Sequence, residues 1–335
     1  MQIGIIGSGS WATALAKILT DNGNTIHWWI RNSGTIGHME KRRHNPHYLS
    51  AVYFNQSQLV MSDDLLSVVS RSEALVIAVP SAYVEDAFKD LPADALKGKK
   101  IISAVKGILP STNQLLNQYL GERFSVSLDD YFSVLGPCHA EEVASEKLSY
   151  LTFSGTDEKI TTSIASYFQT EYLNTVVNTD VIGVQYAAVL KNIYAVGAGI
   201  SHGLEYGDNF LSVYIANSAN EMVHFLRKLD GQVAEANAVT PNYAASVYLG
   251  DLLVTCYSLY SRNRTFGNMI GKGYSVKTAQ LELNMVAEGY NAAKCIRQIN
   301  QLVKADMPIA ETIYSILWEH VPAGEGFKKI EGFLL

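Results

Sequence analysis

The N-terminal half of the chain alternates short apolar runs with amphipathic segments, a pattern that predicts alternating strands and helices. The predicted strands are Gln2–Ile6, Thr25–Ile30, Ala74–Val79, Lys100–Ala104, Tyr131–Leu135, Leu148–Ser154 and Tyr172–Val177. The helices predicted between them are Thr13–Leu19, a helix from about Asp63, Ala82–Lys89, Ser111–Tyr119 and Asp157–Gln169. Strands that alternate with helices form right-handed βαβ units. Residues 1–180 are therefore predicted to form an α/β domain around a parallel sheet.

After Val181 the strand pattern stops and helical periodicity replaces it. Helices are predicted at Val181–Gly203, Asn209–Leu229 and Asp251–Tyr260, from about Met285 to Val303, and at Ile309–His320. Turn residues at Gly203–Gly207 and Gly271–Gly273 separate some of these helices. Residues 181–335 are therefore predicted to form a second, all-helical C-terminal domain.

The first of these helices, Val181–Gly203, is apolar on every side except for a few polar residues, Lys191 among them. A helix that is apolar all round belongs in a core. A buried lysine has a lowered pKa and can donate a proton to a developing alkoxide. Alternatively, its aliphatic stem can carry the ammonium out to water. The helix alone leaves both interpretations open.

Length and composition indicate a globular chain of about two domains. Of the 335 residues, 48% are hydrophobic and 17% are charged, and the formal net charge is −6. A nucleic-acid-binding surface is basic, so this charge argues against nucleic acid as a partner. One basic run, Lys41 to His44, is interpreted as a solvated helix face.

The cysteines and the N-terminus indicate a cytoplasmic protein. Cys138, Cys256 and Cys295 are far apart, which suits a reducing compartment and provides no metal-ligand spacing. Residues 1–6 run directly into a strand, without the pattern of a secretory signal. No transmembrane segment is expected, because polar side chains interrupt the longest apolar run. Those side chains are Gln185, Lys191 and Asn192.

A glycine-rich motif, G-x-G-x-x-A, follows the first predicted strand and precedes the first predicted helix. Gly7 permits a tight turn, Gly9 lets the backbone approach a pyrophosphate, and Ala12 allows close packing of helix on strand. Ser10 and Trp11 lie within the motif. In this context the motif predicts a Rossmann-type, doubly wound dinucleotide-binding sheet.

The end of the second predicted strand bears on the choice of cofactor. An NAD-selective site has an acidic residue there, but this chain has Arg31. An arginine can pair with the 2′-phosphate of NADP, which favours NADP or the use of both cofactors. The alternative is an ordinary surface arginine.

Ligands of such sheets bind beyond the C-terminal ends of the strands. Lys106 follows one predicted strand, and Gly136, Cys138 and Ala140 follow another. Lys106 is interpreted as a ligand contact rather than a solvated side chain. A Cys138–His139 nucleophile is not expected, since adjacent residues seldom point at each other and no third group is evident to orient the histidine.

The helical half contains two polar groups of interest. Asp251 and Thr255 are four residues apart on a helix and share a face, so they could orient a lysine and bind a substrate oxygen. Ser261, Arg262 and Asn263 supply the group types that hold a phosphate or a carboxylate. The second run could equally be a polar loop with capping residues.

Longer motifs resemble the bacterial-type NAD(P)-dependent glycerol-3-phosphate dehydrogenases over nearly the whole chain. The matching segments are GSGSWATAL at the start, NPHYL from Asn45, VKG from Val105, GPCHAEEVA from Gly136, LKNIYAVGAGISHGL from Leu190, GDLLVTCYSLYSRNRTFG from Gly250, VAEGY from Val286 and MPI from Met307. The chain departs from the family at Cys138–His139, where Ser-Phe is usual. Cysteine is a weaker hydrogen-bonding group than serine, which puts that substrate contact in doubt.

The resemblance implies roles for individual residues. Lys191 is the implied proton donor and acceptor, with Lys106, Asp251 and Thr255 in its catalytic neighbourhood. The implied substrate contacts are Lys106, Gly136, Cys138, Lys191, Asp251, Ser261, Arg262 and Asn263. The implied cofactor contacts, besides Gly7 and Gly9, are Ser10, Trp11, Arg31, Lys106, Ala140, Arg262, Val286 and Glu288. No metal is implied.

The predicted activity is reduction of dihydroxyacetone phosphate to sn-glycerol 3-phosphate by NADPH or NADH, which supplies the glycerophospholipid backbone. One alternative is a sibling β-hydroxyacid dehydrogenase, with a carboxylate in place of the phosphate. Another is a non-catalytic nucleotide-binding sensor. A homodimer is also considered.

Overall fold

The computed structural model describes residues 1–233, 241–283 and 287–335. The chain divides into two compact units. The first, here the sheet unit, comprises Met1–Val105 and Gln114–Val181. The second, here the helical unit, comprises Lys106–Asn113 and Ile182–Leu335. The segment 106–113 thus packs with the helices, although the sequence places it between a strand and a helix of the first half.

The sheet unit is built on one eight-stranded sheet in the order β3-β2-β1-β4-β5-β6-β7-β8. The strands are β1 (Ile3–Ile6), β2 (Ile26–Trp29), β3 (Leu59–Ser62), β4 (Ala74–Ile77), β5 (Lys100–Ser103), β6 (Tyr131–Leu135), β7 (Ser149–Ser154) and β8 (Leu173–Asn178). This order confirms the predicted doubly wound α/β class. Strand β3 has no counterpart in the sequence prediction.

The sheet departs from the predicted parallel arrangement at one pair of strands. Strand β7 pairs antiparallel to β6, with Leu135 opposite Thr152. The helix between them, Ala140–Ala144, has only five residues. The chain re-enters the sheet from the C-terminal edge of β6, because no long crossover helix carries it back to the other edge.

Seven helices accompany the sheet. They are α1 (Ser10–Asp21), α2 (Ser33–Arg42), α3 (Leu65–Ser70), α4 (Val84–Phe88), α5 (Leu116–Phe124), α6 (Ala140–Ala144) and α7 (Glu158–Ser166). The prediction of a helix at Ser111–Tyr119 was wrong, since α5 begins only at Leu116. The Gln118 side chain accepts the Leu115 N–H at 3.0 Å, which fixes the start of α5 at that point.

The described part of the helical unit contains eight α-helices. These are α8 (Val181–Gly203), α9 (Asp208–Val233), α10 (Asp251–Tyr257), α11 (Arg262–Gly271), α12 (Val276–Glu282), α13 (Glu288–Val303), α14 (Pro308–Trp318) and α15 (Ala323–Glu331). The predicted start of a helix near Met285 lies outside the described residues. Helix α10 ends three residues earlier than predicted, and a new helix begins at Arg262 because the Ser261 hydroxyl accepts the Arg264 N–H.

Helix α8 lies in the core of the helical unit. Its 23 residues make it the one helix in the described ranges long and apolar enough to cross a membrane. It meets this criterion by length and composition only, since Gln185, Lys191 and Asn192 interrupt its apolar run. Of the 18-residue window that meets this criterion, 94% is buried inside the structure, as in the core helix of a folded domain.

Helices α8 and α11 cross at close range through glycines. A Cβ atom at Gly267 would collide with the Val196 carbonyl, and one at Gly199 would collide with the Arg264 carbonyl. Only glycine allows the two backbones to approach this closely. These contacts follow Lys191 on α8 and Arg262 on α11, so the crossing constrains the separation of these two positions.

Candidate active site

The glycine-rich loop joins β1 to the N-terminus of α1. Gly7 has a φ of +120°, and a Cβ there would lie 2.6 Å from the Ala78 carbonyl oxygen. Gly9 immediately precedes α1, and a Cβ built on it would have no neighbour within 4 Å. The loop therefore leaves open space beside the exposed N–H groups of a 12-residue helix, which fits a pyrophosphate.

The Asn45 side chain binds this loop and the first turn of α1. Its buried amide donates to the Ser8 carbonyl at 3.1 Å and to the Thr13 hydroxyl at 2.9 Å. Its oxygen accepts the N–H groups of His47 and Tyr48. In the sequence, Asn45 stands out only as part of a matching motif, and this structural function was not predicted. An asparagine before a proline is a turn signal, but it does not reveal a partner 37 residues away.

Arg31 lies just beyond β2, and its side chain is 75% exposed. Its guanidinium forms an ion pair with Asp86 on α4, whose carboxylate lies 4.0 Å away. Asp86 also binds Lys89, and that hydrogen bond is the main cause of its lowered pKa. The sequence has no acid at the end of the second strand, and this one comes from a different element, so the local sequence does not reveal it.

The loop after β6 contains three predicted contacts. Gly136 has a φ of +133°, and Ala140 begins the short helix α6. Cys138 is buried at 6% exposure, and Cys138, Cys256 and Cys295 are all free thiols. In the described ranges, no group of three or more histidine, cysteine or acidic residues could hold a metal ion.

Lys191 lies at the centre of α8 and forms an ion pair with Asp251 at the start of α10. The Thr255 hydroxyl, one turn further along α10, donates to the Asp251 backbone carbonyl at 2.5 Å and is 3.5 Å from its Oδ1. The second carboxylate oxygen of Asp251, Oδ2, is buried without a hydrogen-bond partner among the described residues. The structure thus brings the predicted lysine, aspartate and threonine together and leaves one acceptor atom open.

The environment of Lys191 makes it suitable for proton transfer. Burial away from water, opposed by the Asp251 carboxylate and reinforced by the Lys106 ammonium, lowers the pKa of Lys191 from 10.5 to about 8. A group that titrates near physiological pH can both give up and take back a proton. The interpretation in which this lysine reaches water is wrong, because the residue is 3% exposed.

Two asparagine side chains connect the remaining site residues within the helical unit. Asn192 donates to the Lys106 carbonyl at 2.8 Å and accepts from the Asn263 amide at 2.9 Å. The oxygen of Asn263 accepts the Gly289 N–H at 3.0 Å. In the sequence, Asn192 stands out only as a polar residue in an apolar helix, and no function was predicted for it.

The predicted phosphate-binding residues lie at the start of α11. Ser261 is buried and caps this helix, as in the alternative interpretation of these residues as a capping loop. Arg262, in the first turn, is exposed. Asn263 is buried within the amide network. Glu288 begins α13 and is partly buried, and Val286 lies outside the described residues.

A glycine-rich turn of this geometry at the head of a doubly wound sheet, together with a desolvated acid–base lysine, is typical of dinucleotide-dependent dehydrogenases. Comparison with protein families is more specific. Residues 2–161 match the family model described as the N-terminus of NAD-dependent glycerol-3-phosphate dehydrogenase, and residues 180–328 match the model of its C-terminus. The chain belongs to this family of NAD(P)-dependent oxidoreductases, which confirms the predicted family and cofactor class.

Individual relatives agree with the family. The glycerol-3-phosphate dehydrogenase (NAD(P)+) of Chlorobium chlorochromatii is 32% identical over 97% of this chain and 96% of its own length. The protein of the same description from Thermoanaerobacter sp. is 35% identical over 95% and 93%. The crystal structure of glycerol-3-phosphate dehydrogenase from Coxiella burnetii has 25% identity and a TM-score of 0.86, covering 98% of both chains. A D-mandelate dehydrogenase with NADH, at 11% identity and a TM-score of 0.56, shares only the fold.

Proposed function

We propose that this chain catalyses the NAD(P)H-dependent reduction of dihydroxyacetone phosphate to sn-glycerol 3-phosphate, a precursor of glycerophospholipids. The observation that carries the proposal is the buried Lys191–Asp251 pair with Lys106 beside it. The descriptions of the relatives name glycerol 3-phosphate, the product of this reduction.

Lys191 donates the proton to the oxygen of the substrate carbonyl as that oxygen becomes an alkoxide. Lys106 contributes a second positive charge, which stabilises the developing oxyanion and lowers the pKa of Lys191. Asp251 holds the Lys191 ammonium by its Oδ1 and has Oδ2 available to accept from a substrate hydroxyl. Thr255 binds on the same face and restricts the position of Asp251.

Arg262 holds the substrate phosphate. It is exposed in the first turn of α11, where the helix dipole also favours an anion. Ser261 and Asn263 flank it and complete the phosphate site, and Gly136 and Cys138 are further proposed substrate contacts. Binding energy from the phosphate, which does not react, orients the carbonyl that does.

The sheet unit binds the cofactor. Gly7, Gly9, Ser10 and Trp11 form the pyrophosphate turn, and Arg31 reaches the ribose end. The remaining contacts are Lys106, Ala140, Arg262, Val286 and Glu288. A bound nicotinamide cofactor supplies the hydride. The exposed guanidinium of Arg31 supports the use of NADPH at least as well as NADH.

Residues 1–180 serve as the dinucleotide-binding domain and residues 181–335 as the catalytic domain. The three free, buried thiols support a cytoplasmic location. A homodimer is supported by the exposed apolar side chains of Leu253, Tyr257, Leu259 and Tyr260. Light scattering on the purified protein tests the dimer, since a monomeric mass contradicts it.

The test of the main proposal is oxidation of NADPH and NADH by the purified full-length protein with different ketones. Dihydroxyacetone phosphate should be turned over far faster than short keto acids of similar size. Preference for a keto acid would make the chain a β-hydroxyacid dehydrogenase of the same architecture. Absence of turnover with every ketone, together with cofactor binding, would make it a nucleotide-binding sensor.

A further inference from the structure

Asn192 lies next to Lys191 on α8, yet its side chain contacts different groups. It is 4% exposed and donates from Nδ2 to the backbone carbonyl of Lys106 at 2.8 Å. The carbonyl of Lys106 belongs to the segment 106–113, which packs with the helical unit. Because residues 106 and 191 are far apart in the chain, this hydrogen bond fixes one lysine relative to the helix that carries the other.

The orientation of the Asn192 amide is determined by its partners. The Gly289 N–H can only donate, so it requires the oxygen of Asn263 at its end of the network. The Asn263 amide nitrogen then donates to the oxygen of Asn192 at 2.9 Å. The remaining end of Asn192 is its donor, and it meets the Lys106 carbonyl, which can only accept. We call this chain of hydrogen bonds, from Gly289 through Asn263 and Asn192 to Lys106, the relay. The direction of each of its hydrogen bonds follows from the backbone groups at its two ends.

Close packing reinforces the relay. A Cβ atom at Gly289 would collide with the backbone carbonyl of Asn192, so the start of α13 lies directly against α8. A buried amide left without its partner costs about 1–3 kcal/mol, and the network leaves neither asparagine oxygen unpaired. The Asn192 side chain consequently has one stable orientation.

We propose that Asn192 is a positioning residue that holds Lys106 by its carbonyl, so that the Lys106 ammonium lies beside Lys191, and that Asn263 and Gly289 fix Asn192 in this orientation. The inference rests on the proposed function for its catalytic meaning. It also gives Asn263 a second task, besides the proposed contact with the substrate phosphate.

The groups that face Lys191 decide how the relay can be tested. Asp251 on α10 raises the pKa of Lys191, and Lys106 lowers it. Cys256, also on α10, stays neutral because burial raises the pKa of its thiol to about 12. If Asn192 no longer holds Lys106, the like-charge repulsion weakens and the pKa of Lys191 rises.

The first experiment measures the pKa of Lys191 in the full-length protein without substrate. Competitive acetylation with acetic anhydride over a pH series, read by mass spectrometry, reports each lysine separately. We expect Asn192→Ala to raise the pKa of Lys191 by about one unit. Asn192→Ser serves as a milder second variant. In Asn300→Ala, the matched control, a buried asparagine loses its two hydrogen bonds to Ala305, and Lys191 should titrate as in the wild type.

The second experiment is a double-mutant cycle with Lys106→Met. This change removes the like charge, so it should raise the pKa of Lys191 by itself. Adding Asn192→Ala should then produce no further rise, because the two changes act through the same contact. An additive rise, or an unchanged pKa in a folded Asn192→Ala or Asn192→Ser protein, overturns the proposal.

Turnover separates this proposal from the proposed function. In the reduction of dihydroxyacetone phosphate, the alkaline limb of the kcat profile should move upward in Asn192→Ala together with the pKa of Lys191. A wild type that does not reduce this ketone contradicts the proposed function. The titration of Lys191 still tests the relay in that case.

Discussion

The Lys191 ammonium and the Asp251 carboxylate form an ion pair that is almost inaccessible to water, at 3% and 1% exposure. Removing one partner of such a pair leaves an isolated buried charge, which typically costs about 3–5 kcal/mol. The pair therefore constrains both the stability of the helical unit and the acidity of the lysine.

Asp251→Asn should move the alkaline limb of the reduction to lower pH. The carboxylate raises the pKa of Lys191, so its loss allows burial and Lys106 to lower that pKa below about 8. Reduction requires protonated Lys191, and the rate falls once the pH exceeds its pKa. A kcat profile between neutral and alkaline pH checks the direction, and an upward shift would refute the assignment.

Lys191→Met should lower kcat by about 10²–10⁴-fold, the usual effect of losing a positioned acid. The single variant leaves Asp251 unpaired, so its loss of activity could reflect unfolding. The double variant Lys191→Met with Asp251→Asn removes both charges and should recover most of the thermal stability without recovering turnover. Near-normal kcat in either variant excludes Lys191 as the proton donor.

Arg262→Ala should act on substrate binding. A lost charge-assisted contact with phosphate costs about 1.5–3 kcal/mol, which corresponds to roughly 10–150-fold in KM. Dihydroxyacetone, which lacks the phosphate, is the control, and wild type and variant should use it about equally. An equal loss with both ketones would mean that Arg262 does not bind the phosphate.

Arg31→Glu should shift the preference from NADPH toward NADH, because it replaces attraction to the 2′-phosphate with repulsion. The wild type should use NADPH at least as well as NADH, and salt should weaken this preference at an exposed site. The measurement is kcat/KM for both cofactors at two ionic strengths. Arg123→Glu makes the same charge change elsewhere in the sheet unit and should leave the ratio unaltered. A tenfold NADH preference in the wild type contradicts the prediction.

Glu221 should make the protein less stable as the pH rises from about 4.5 to 7. Burial raises the pKa of this carboxyl to about 7, although it accepts from the Ile309 and Ala310 N–H groups and the Tyr194 hydroxyl. In this interval the folded state binds a proton that the unfolded state has released, so the free energy of unfolding falls, by roughly 3 kcal/mol.

Glu221→Gln should flatten that pH dependence, since the amide does not titrate. Urea unfolding of wild type and variant at several pH values within the interval isolates the contribution of this one carboxyl. At the acidic end of the interval, the variant should be less stable than the wild type, because its amide nitrogen faces a backbone N–H. Parallel pH profiles of stability would show that Glu221 does not titrate there.

The sequence predicts the fold well where a pattern is local. Strand Tyr131–Leu135 has the predicted bounds because a short, largely apolar run between turn residues defines it. The direction of β7 depends on where its connection re-enters the sheet, and residues 149–154 carry no signal of that. The start of α5 depends on one side chain, Gln118, which competes with the apolar periodicity.

The site residues also differ in whether the local sequence reveals them. Lys191 stands out because a charge in an apolar helix has few structural explanations, and Asp251 shares a helix face with Thr255. Asn192 carries no such signal, since its partners lie 86 and 71 residues away and only the folded chain brings them together. Asp86 approaches Arg31 from another element for the same reason.

The crossing of α8 and α11 has a consequence for genetic scans of this protein. Gly267 has no side chain and takes no part in the chemistry. Any side chain at this position would push the two helices apart and separate Arg262 from Lys191. A saturation library would therefore lose variants at Gly267 as completely as at the lysine itself. Intolerance to substitution identifies the spacing of the two helices as well as the residues that react.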